Sequence, residues 1–224
     1  GSQIRTGDFG KLSLAVEENQ LVKIYGTNKI KNNNSICLKP AWIIKKLEKG
    51  DLLHVDFNSV ILRITDTSTI KKDYIIAKAV TAGTISKNKA VVVDPAHPSE
   101  YALPALTPKD YEAIKIGLRE GIKHIAVSFV RKPEDIDLAR KATQKKMKII
   151  SKIECMDALK NLNQIIKKTD WLLIDRGDLS KEIPIEKISL AQDIILKKAQ
   201  KAGKPAFVAT NLLETMVEKK QPTR

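Results

Sequence analysis

The sequence predicts an α/β fold, a partial (β/α)8 TIM-type barrel with an inserted small all-β, barrel-like domain. Three observations predict it. From Thr107 onward, short aliphatic runs alternate with longer stretches of helical spacing, the order of a parallel sheet. Between Asp8 and Leu103 the apolar runs are instead brief, closely spaced and separated by turn residues, as in a small β-barrel or sandwich. Two of the later segments end in carboxylates, Glu154 and Asp178, at the strand ends where parallel barrels carry their chemistry.

Taken in order, residues 1–7 (GSQIRTG) read as the tail of a barrel strand with a turn at Gly7. The β region follows as Leu12–Val16, Leu21–Tyr25, Leu52–Asp56, Val60–Ile64 and Tyr74–Ala77. Glu18-Asn19, Asn32-Asn33-Asn34, Lys49-Gly50-Asp51, Asp56-Phe57-Asn58 and Thr81-Ala82-Gly83 supply the turns, and only Pro40–Leu47 suggests helix. Thr107-Pro108-Lys109-Asp110 is a helix start, with Thr as N-cap, Pro at the first helical position and acid in the first turn. Strand His124–Phe129, helix Pro133–Lys145, strand Lys148–Ile153, helix Met156–Lys167 and strand Trp171–Ile174 come next. Helix Ile185–Lys201 then leads through Gly203 to strand Pro205–Thr210 and a helix from about Leu212. The predicted organisation is 1–7 as a barrel-strand fragment, 8–103 as the inserted domain and 104–224 as βα units carrying the site. So few parallel strands do not close a barrel and leave open edges. A piece of a larger barrel is therefore expected, the other reading being a chain completed by association.

The stretch Lys148–Pro184 holds the residues suited to chemistry. Glu154 and Asp178 on neighbouring strand ends suit a hard divalent cation such as Mg²⁺, which takes carboxylate oxygens and keeps positions for substrate. Equally, they could cap helices or pair with Lys152 and Arg176. Lys152, two residues before Glu154, points to the same face if the strand continues, and could neutralise a transferring phosphoryl group or an enolate oxygen. The plainer alternative is a lysine reaching out from a strand end. Gly177 leaves main-chain N–H groups open to an anion. Thr210 ends another strand, where it could relay a proton or simply satisfy backbone. Ser128, Phe129 and Arg131 end the strand before Lys148, and Arg131 could meet phosphate or face water. His54, His97 and His124 have no metal-ligand spacing, and neither a P-loop nor a dinucleotide-binding glycine motif occurs.

Composition narrows the partners. The net charge of +14 comes mostly from lysines spread along the whole chain, with only 4% aromatic residues to stack on bases, so no specific nucleic-acid partner is expected. A solvated lysine surface accounts for the excess, and a basic rim for anionic metabolites is compatible with it. No apolar run is long enough for a membrane span. Cys37 and Cys155 stand far apart in unlike contexts, which predicts a reducing, cytoplasmic setting.

KIISKIE, RGDLSKEIP, KISLAQDIILKKAQKAGKP and FVATNLLETMVEKKQPTR, in this order, resemble the pyruvate kinase family. QIRTG and VSFVRKPEDI resemble its third and fourth barrel strands, and the β region sits where the family carries its lid. The resemblance implies phosphoryl transfer from phosphoenolpyruvate to ADP, giving pyruvate and ATP. It makes Lys152 the catalytic lysine, Glu154 and Asp178 the Mg²⁺ ligands, and Thr210 the residue near the transferred proton. Arg5 becomes a nucleotide- or phosphate-side cation, and Gly177 and Asp178 offer N–H groups to the substrate carboxylate. K⁺ is implied as well, although the family's ligands for it fall outside this chain, as do its first two and eighth barrel strands and its C-terminal domain. A homo-oligomer, or completion by the missing segments, is expected, and the 224 residues alone are expected to turn over poorly. Departures from the family pattern are Cys155 for a usual Asn, Asp175 for a small residue, Ser180 for Gly, Asn211 for Gln, and Asp56-Phe57-Asn58 for Asp-Asp-Gly. Two other readings stand beside this one, a Mg²⁺-enolpyruvate lyase or aldolase on the same barrel ends and a non-catalytic fragment that binds ligand or partner.

Overall fold

The computed structural model describes residues 2–27, 33–94, 96 and 101–209. They form two compact units, one made of Gln3–Ala102, the other starting at Leu103 and taking in Ser2.

The first unit contains β1 (Arg5–Thr6), β2 (Ser13–Val16), β3 (Leu21–Tyr25), β4 (Ser35–Lys39), β5 (Leu52–Val55), β6 (Val60–Asp66), β7 (Tyr74–Ala79), β8 (Gly83–Ser86) and β9 (Val91–Asp94). Seven of them make one sheet in the order β1-β4-β3-β7-β6-β5-β9, and β2 pairs separately with β8. An Arg5–Ala90 bridge, with Val91 N–H donating to the Ile4 carbonyl at 2.9 Å, brings the two ends of the sheet together. Near-closure removes the edges that an open sheet exposes. Alternation drives the packing: Val22 and Ile24, Leu53 and Val55, Leu62 and Ile64, Ile75 and Ala77 all point inward and are buried.

Several features of this unit were not legible. Arg5–Thr6, expected in a barrel strand, pairs antiparallel with β4 within the β unit. β4 carries no alternation because four consecutive residues, Ser35–Leu38, are buried. β8 begins on Gly83, read from sequence as a turn; a Cβ there would lie 2.3 Å from the Ser59 carbonyl oxygen, so only glycine permits the approach. Asp56, Phe57 and Asn58 take φ of 46°, 57° and 66° in succession. A bulky side chain in this left-handed region costs roughly 1–2 kcal/mol. Phe57→Gly is expected to raise stability by about 0.5–1 kcal/mol in thermal or urea melts; a loss would mean that contacts of the ring outweigh the backbone strain.

The second unit runs α1 (Pro108–Arg119), β10 (His124–Val127), α2 (Pro133–Ala142), β11 (Lys148–Ile153), α3 (Met156–Lys160), α4 (Leu162–Lys168), β12 (Trp171–Asp175), α5 (Arg176–Leu179), α6 (Ile185–Lys201) and β13 (Ala206–Ala209). The four strands pair in parallel in chain order, as βα units require. α1 begins with the capping box: Asp110 N–H donates to Thr107 Oγ1 at 3.2 Å and Thr107 N–H to Asp110 Oδ2 at 2.7 Å. The helix expected over Met156–Lys167 is two, broken at Asn161, whose side-chain amide donates to the Arg131 and Asp157 carbonyls.

Strand parity decides what each face carries. Ile149, Ile153, Leu172 and Ile174 are buried among Ile136, Ile165 and Ile195 of the helices. The alternate residues Ile150, Lys152, Trp171, Leu173 and Asp175 lie on the other face and are only partly buried. At its N-terminal end Trp171 stacks on His124, with ring centroids 4.8 Å apart, and meets Phe207 edge-on at 5.8 Å. Its C-terminal end carries the charged residues. No described helix is long and apolar enough to cross a membrane.

Asp170, just before β12, ties two elements together. Its carboxylate accepts the Ile149 N–H at 2.9 Å and pairs with Arg140 at 3.1 Å and Lys148 at 3.4 Å. Burial opposes its ionisation, but that N–H and the two cations outweigh it and hold the carboxyl below its ordinary value. A depressed folded value means that the stabilisation is present above the unfolded carboxyl's range and lost as pH falls through the folded one. Asp170→Asn is therefore expected to cost about 1–2 kcal/mol at about pH 7 and much less at about pH 2, by urea denaturation. An equal loss at both would show that charge is not the cause.

Candidate active site

β11 ends at Ile153, and the next residue, Glu154, turns into the protein, with its side chain fully buried. One oxygen, Oε2, accepts the Phe129 N–H at 2.6 Å. Phe129 follows β10 with φ of 50°, a conformation unusual for a buried aromatic residue, and that backbone turn accompanies an amide aimed at a residue of the next strand. The other oxygen, Oε1, lies 2.6 Å from Lys152 Nζ, yet receives no aligned hydrogen bond from any described residue. That oxygen is held by the charge of Lys152 alone, without an aligned hydrogen bond, so a divalent cation could replace the ammonium there.

Lys152 is shared. Besides Glu154, its ammonium lies 3.1 Å from Asp175 Oδ2 at the end of β12. In register Lys152 is level with Leu173, so Asp175 is the next residue along on the same face, within reach of a lysine. Asp175 Oδ1 accepts the Asp178 N–H at 3.3 Å across the first turn of α5. Asp178 in turn pairs with Lys181. One oxygen from each of Glu154, Asp175 and Asp178 lies within 4.8 Å of the others.

The electrostatics follow from this crowding. Burial pushes the Glu154 carboxyl above its ordinary value; Lys152 and the Phe129 N–H offset part of the rise, and Asp178 adds to it. For Lys152, burial acts to lower the value, but Glu154 and Asp175 prevail and raise it. For Asp175, burial acts upward and is outweighed by Lys152 and the Asp178 N–H, so its carboxyl is held low. Burial drives the Cys155 thiol up to about 12, so it is protonated and chemically quiet.

Of the residues singled out from sequence, Lys152, Glu154 and Asp178 come together in this cluster. Gly177 stands in the first turn of α5, half-buried, where a Cβ would make only an ordinary 3.5 Å contact with Asp175. Ser128 is half-buried just past the end of β10. Arg131 spends its guanidinium on protein carbonyls, Ser2 at 2.7 Å and Phe129 at 3.3 Å. Arg5 belongs to the β unit, where its guanidinium donates to the Asn88 carbonyl at 2.9 Å. Thr210, Asn211 and the helix from Leu212 lie outside the described residues, as does His97. Asp175 was visible in sequence as an extra carboxylate, but its hold on Lys152 was not. The Phe129 amide carried no local signal at all.

Comparison with known proteins gives the family. The chain matches the family described as "Pyruvate kinase, barrel domain" across residues 1–224. It is 33% identical, over its whole length, to a pyruvate kinase of Thermotoga maritima, of which it covers 47%. Similar relatives are pyruvate kinases of Clostridium acetobutylicum, 31% identical with 47% covered, and Dictyostelium discoideum, 32% identical with 45% covered. In each case the whole of this chain is matched, and it spans about half the length of the curated relative. A parallel βα array with an acidic, lysine-bearing strand end, matched over its full length to this one family, belongs to the pyruvate kinase family.

Proposed function

We propose that the protein is a cytoplasmic phosphotransferase of the pyruvate kinase type, moving a phosphoryl group from phosphoenolpyruvate to ADP. The single observation behind this is the Lys152 ammonium set 2.6 Å from Glu154 and 3.1 Å from Asp175, beside Asp178, at the C-terminal ends of β11 and β12. The oxygen-only donor set and the unaligned, buried Oε1 of Glu154 fit a hard divalent cation. Glu154 and Asp178 would hold Mg²⁺, which when bound neutralises charge on substrate oxygens. The family likeness also brings K⁺, for which this chain assigns no residues.

Within that reading, Lys152 offers a fixed positive charge to the transferring phosphoryl group and then to the enolate oxygen left behind. The N–H of Gly177 orients the substrate carboxylate at the start of α5, joined by that of Asp178 when it is released from Asp175 Oδ1, 3.3 Å away. Phe129 keeps Glu154 turned inward by occupying Oε2. Ser128 lines the neighbouring strand end as a substrate-side group, and Arg131 would join it on giving up the Ser2 or Phe129 carbonyl. The family likeness assigns Thr210 to the proton delivered to the enolate and Arg5 to charge on the nucleotide side. Positioning and charge complementarity supply the rate, with no covalent intermediate on the protein.

The test is a coupled assay of pyruvate formation from phosphoenolpyruvate and ADP with Mg²⁺ and K⁺, on the protein that carries this chain. Pyruvate and ATP in equal amounts support the proposal. No turnover by folded protein would sink it.

A further inference from the structure

Asp175 is bound on both of its oxygens, one by Lys152 at 3.1 Å and one by the Asp178 N–H at 3.3 Å, so its charge is fixed at the centre of the cluster. Three carboxylates, Glu154, Asp175 and Asp178, face two ammonium groups, Lys152 and Lys181. The sum is −1, and it would be 0 without Asp175. A bound divalent cation raises these to +1 and +2. The same residue therefore makes the site more attractive to a cation and less attractive to an anion. It also gives Lys152 a second partner, one that keeps the ammonium neutralised when Glu154 is engaged elsewhere. An arriving anion has to compete with Asp175 for Lys152.

We infer that Asp175 is a specificity-determining residue, whose charge tightens the hold on a divalent cation and loosens the hold on an anionic substrate. The inference rests on the metal and phosphoryl reading of the site given above. A purely structural role differs in a measurable way, because asparagine keeps the shape and an oxygen for the Asp178 N–H while losing the charge.

Titration calorimetry on the purified protein reads both effects, with Mn²⁺ alone as one probe and phosphoenolpyruvate at saturating Mn²⁺ as the other. Asp175→Asn is expected to raise the Mn²⁺ Kd at least tenfold and to lower the phosphoenolpyruvate Kd at least fivefold. Asp175→Ser, which also retains an oxygen for the Asp178 N–H, is expected to shift both constants the same way and serves if the first variant folds poorly. Unchanged constants, a shift in only one, or shifts of the same sign overturn the inference. Glu154→Gln separates the two levels. If it abolishes Mn²⁺ binding while Asp175→Asn changes neither constant, the role of Asp175 alone fails. If it too leaves Mn²⁺ binding intact, the metal reading fails and takes this inference with it.

Discussion

Lys152→Ala is expected to lower the rate of phosphoenolpyruvate-dependent ATP formation by about 10³-fold, with divalent-cation binding retained or strengthened. The rate loss follows from removing a fixed charge that faces the developing negative charge; losing one such group commonly costs about 10²–10³ in kcat. The retained cation binding follows from the geometry. The ammonium is the cation that now lies 2.6 Å from Glu154 Oε1, and its removal vacates that oxygen for a metal. Stability should respond in the same sense. Without Lys152 the buried Glu154 carboxylate loses its compensating charge, and breaking a buried pair costs roughly 3–5 kcal/mol. Because Lys152 is itself partly exposed, the lower end is expected, with Mn²⁺ restoring most of the lost melting temperature. A variant that keeps its turnover would remove Lys152 from the chemistry. One that loses Mn²⁺ binding together with turnover would indicate collapse of the site instead of loss of a charge.

The second large effect belongs to Glu154→Gln, for which Mn²⁺ affinity is expected to fall at least about 10²-fold, some 2.7 kcal/mol. Glutamine is nearly isosteric, and its side-chain oxygen can still accept the Phe129 N–H that Glu154 Oε2 accepts at 2.6 Å. The fold should therefore persist, which circular dichroism can verify. What disappears is the charge of the one fully buried carboxylate in the cluster, where low solvent access makes each charge count most. Its amide would also present N–H to Lys152, a donor facing a donor, and loosen the lysine. Turnover is expected to fall alongside cation affinity, whereas the Lys152 variant separates the two. That contrast, when measured, would assign cation binding to Glu154 and charge stabilisation to Lys152.

Much of the βα unit could be read from the chain because its signals are local. The N-cap at Thr107, the Pro that follows it, and the 3.6-residue spacing of Ile185–Lys201 act within a turn or two, and these elements stand where expected. Parity along Lys148–Ile153 correctly separated Lys152 from the helix-facing residues. The β unit was harder. β4 and β9 had no alternation to mark them, and β8 began on a glycine whose purpose, clearance from the Ser59 carbonyl, depends on a neighbour 24 positions earlier. The break at Asn161 was hidden for a similar reason. Its amide reaches a carbonyl 30 residues away, and no helical periodicity reports that.

The sequence by itself determined the kind of protein: a βα array, an inserted β unit, and two acidic strand ends with a lysine beside the first. Periodicity, capping and composition are properties of neighbouring residues, so they survive without coordinates. Tertiary structure alone decided the charge pattern of the site. It buried Glu154, brought the Phe129 amide to it across 25 residues, and set Asp175 of the adjacent strand against Lys152. Parity tells which face a side chain takes. Only the pairing of strands tells which charge it meets there, and in a partly buried cluster that meeting governs both ionisation and ligand preference.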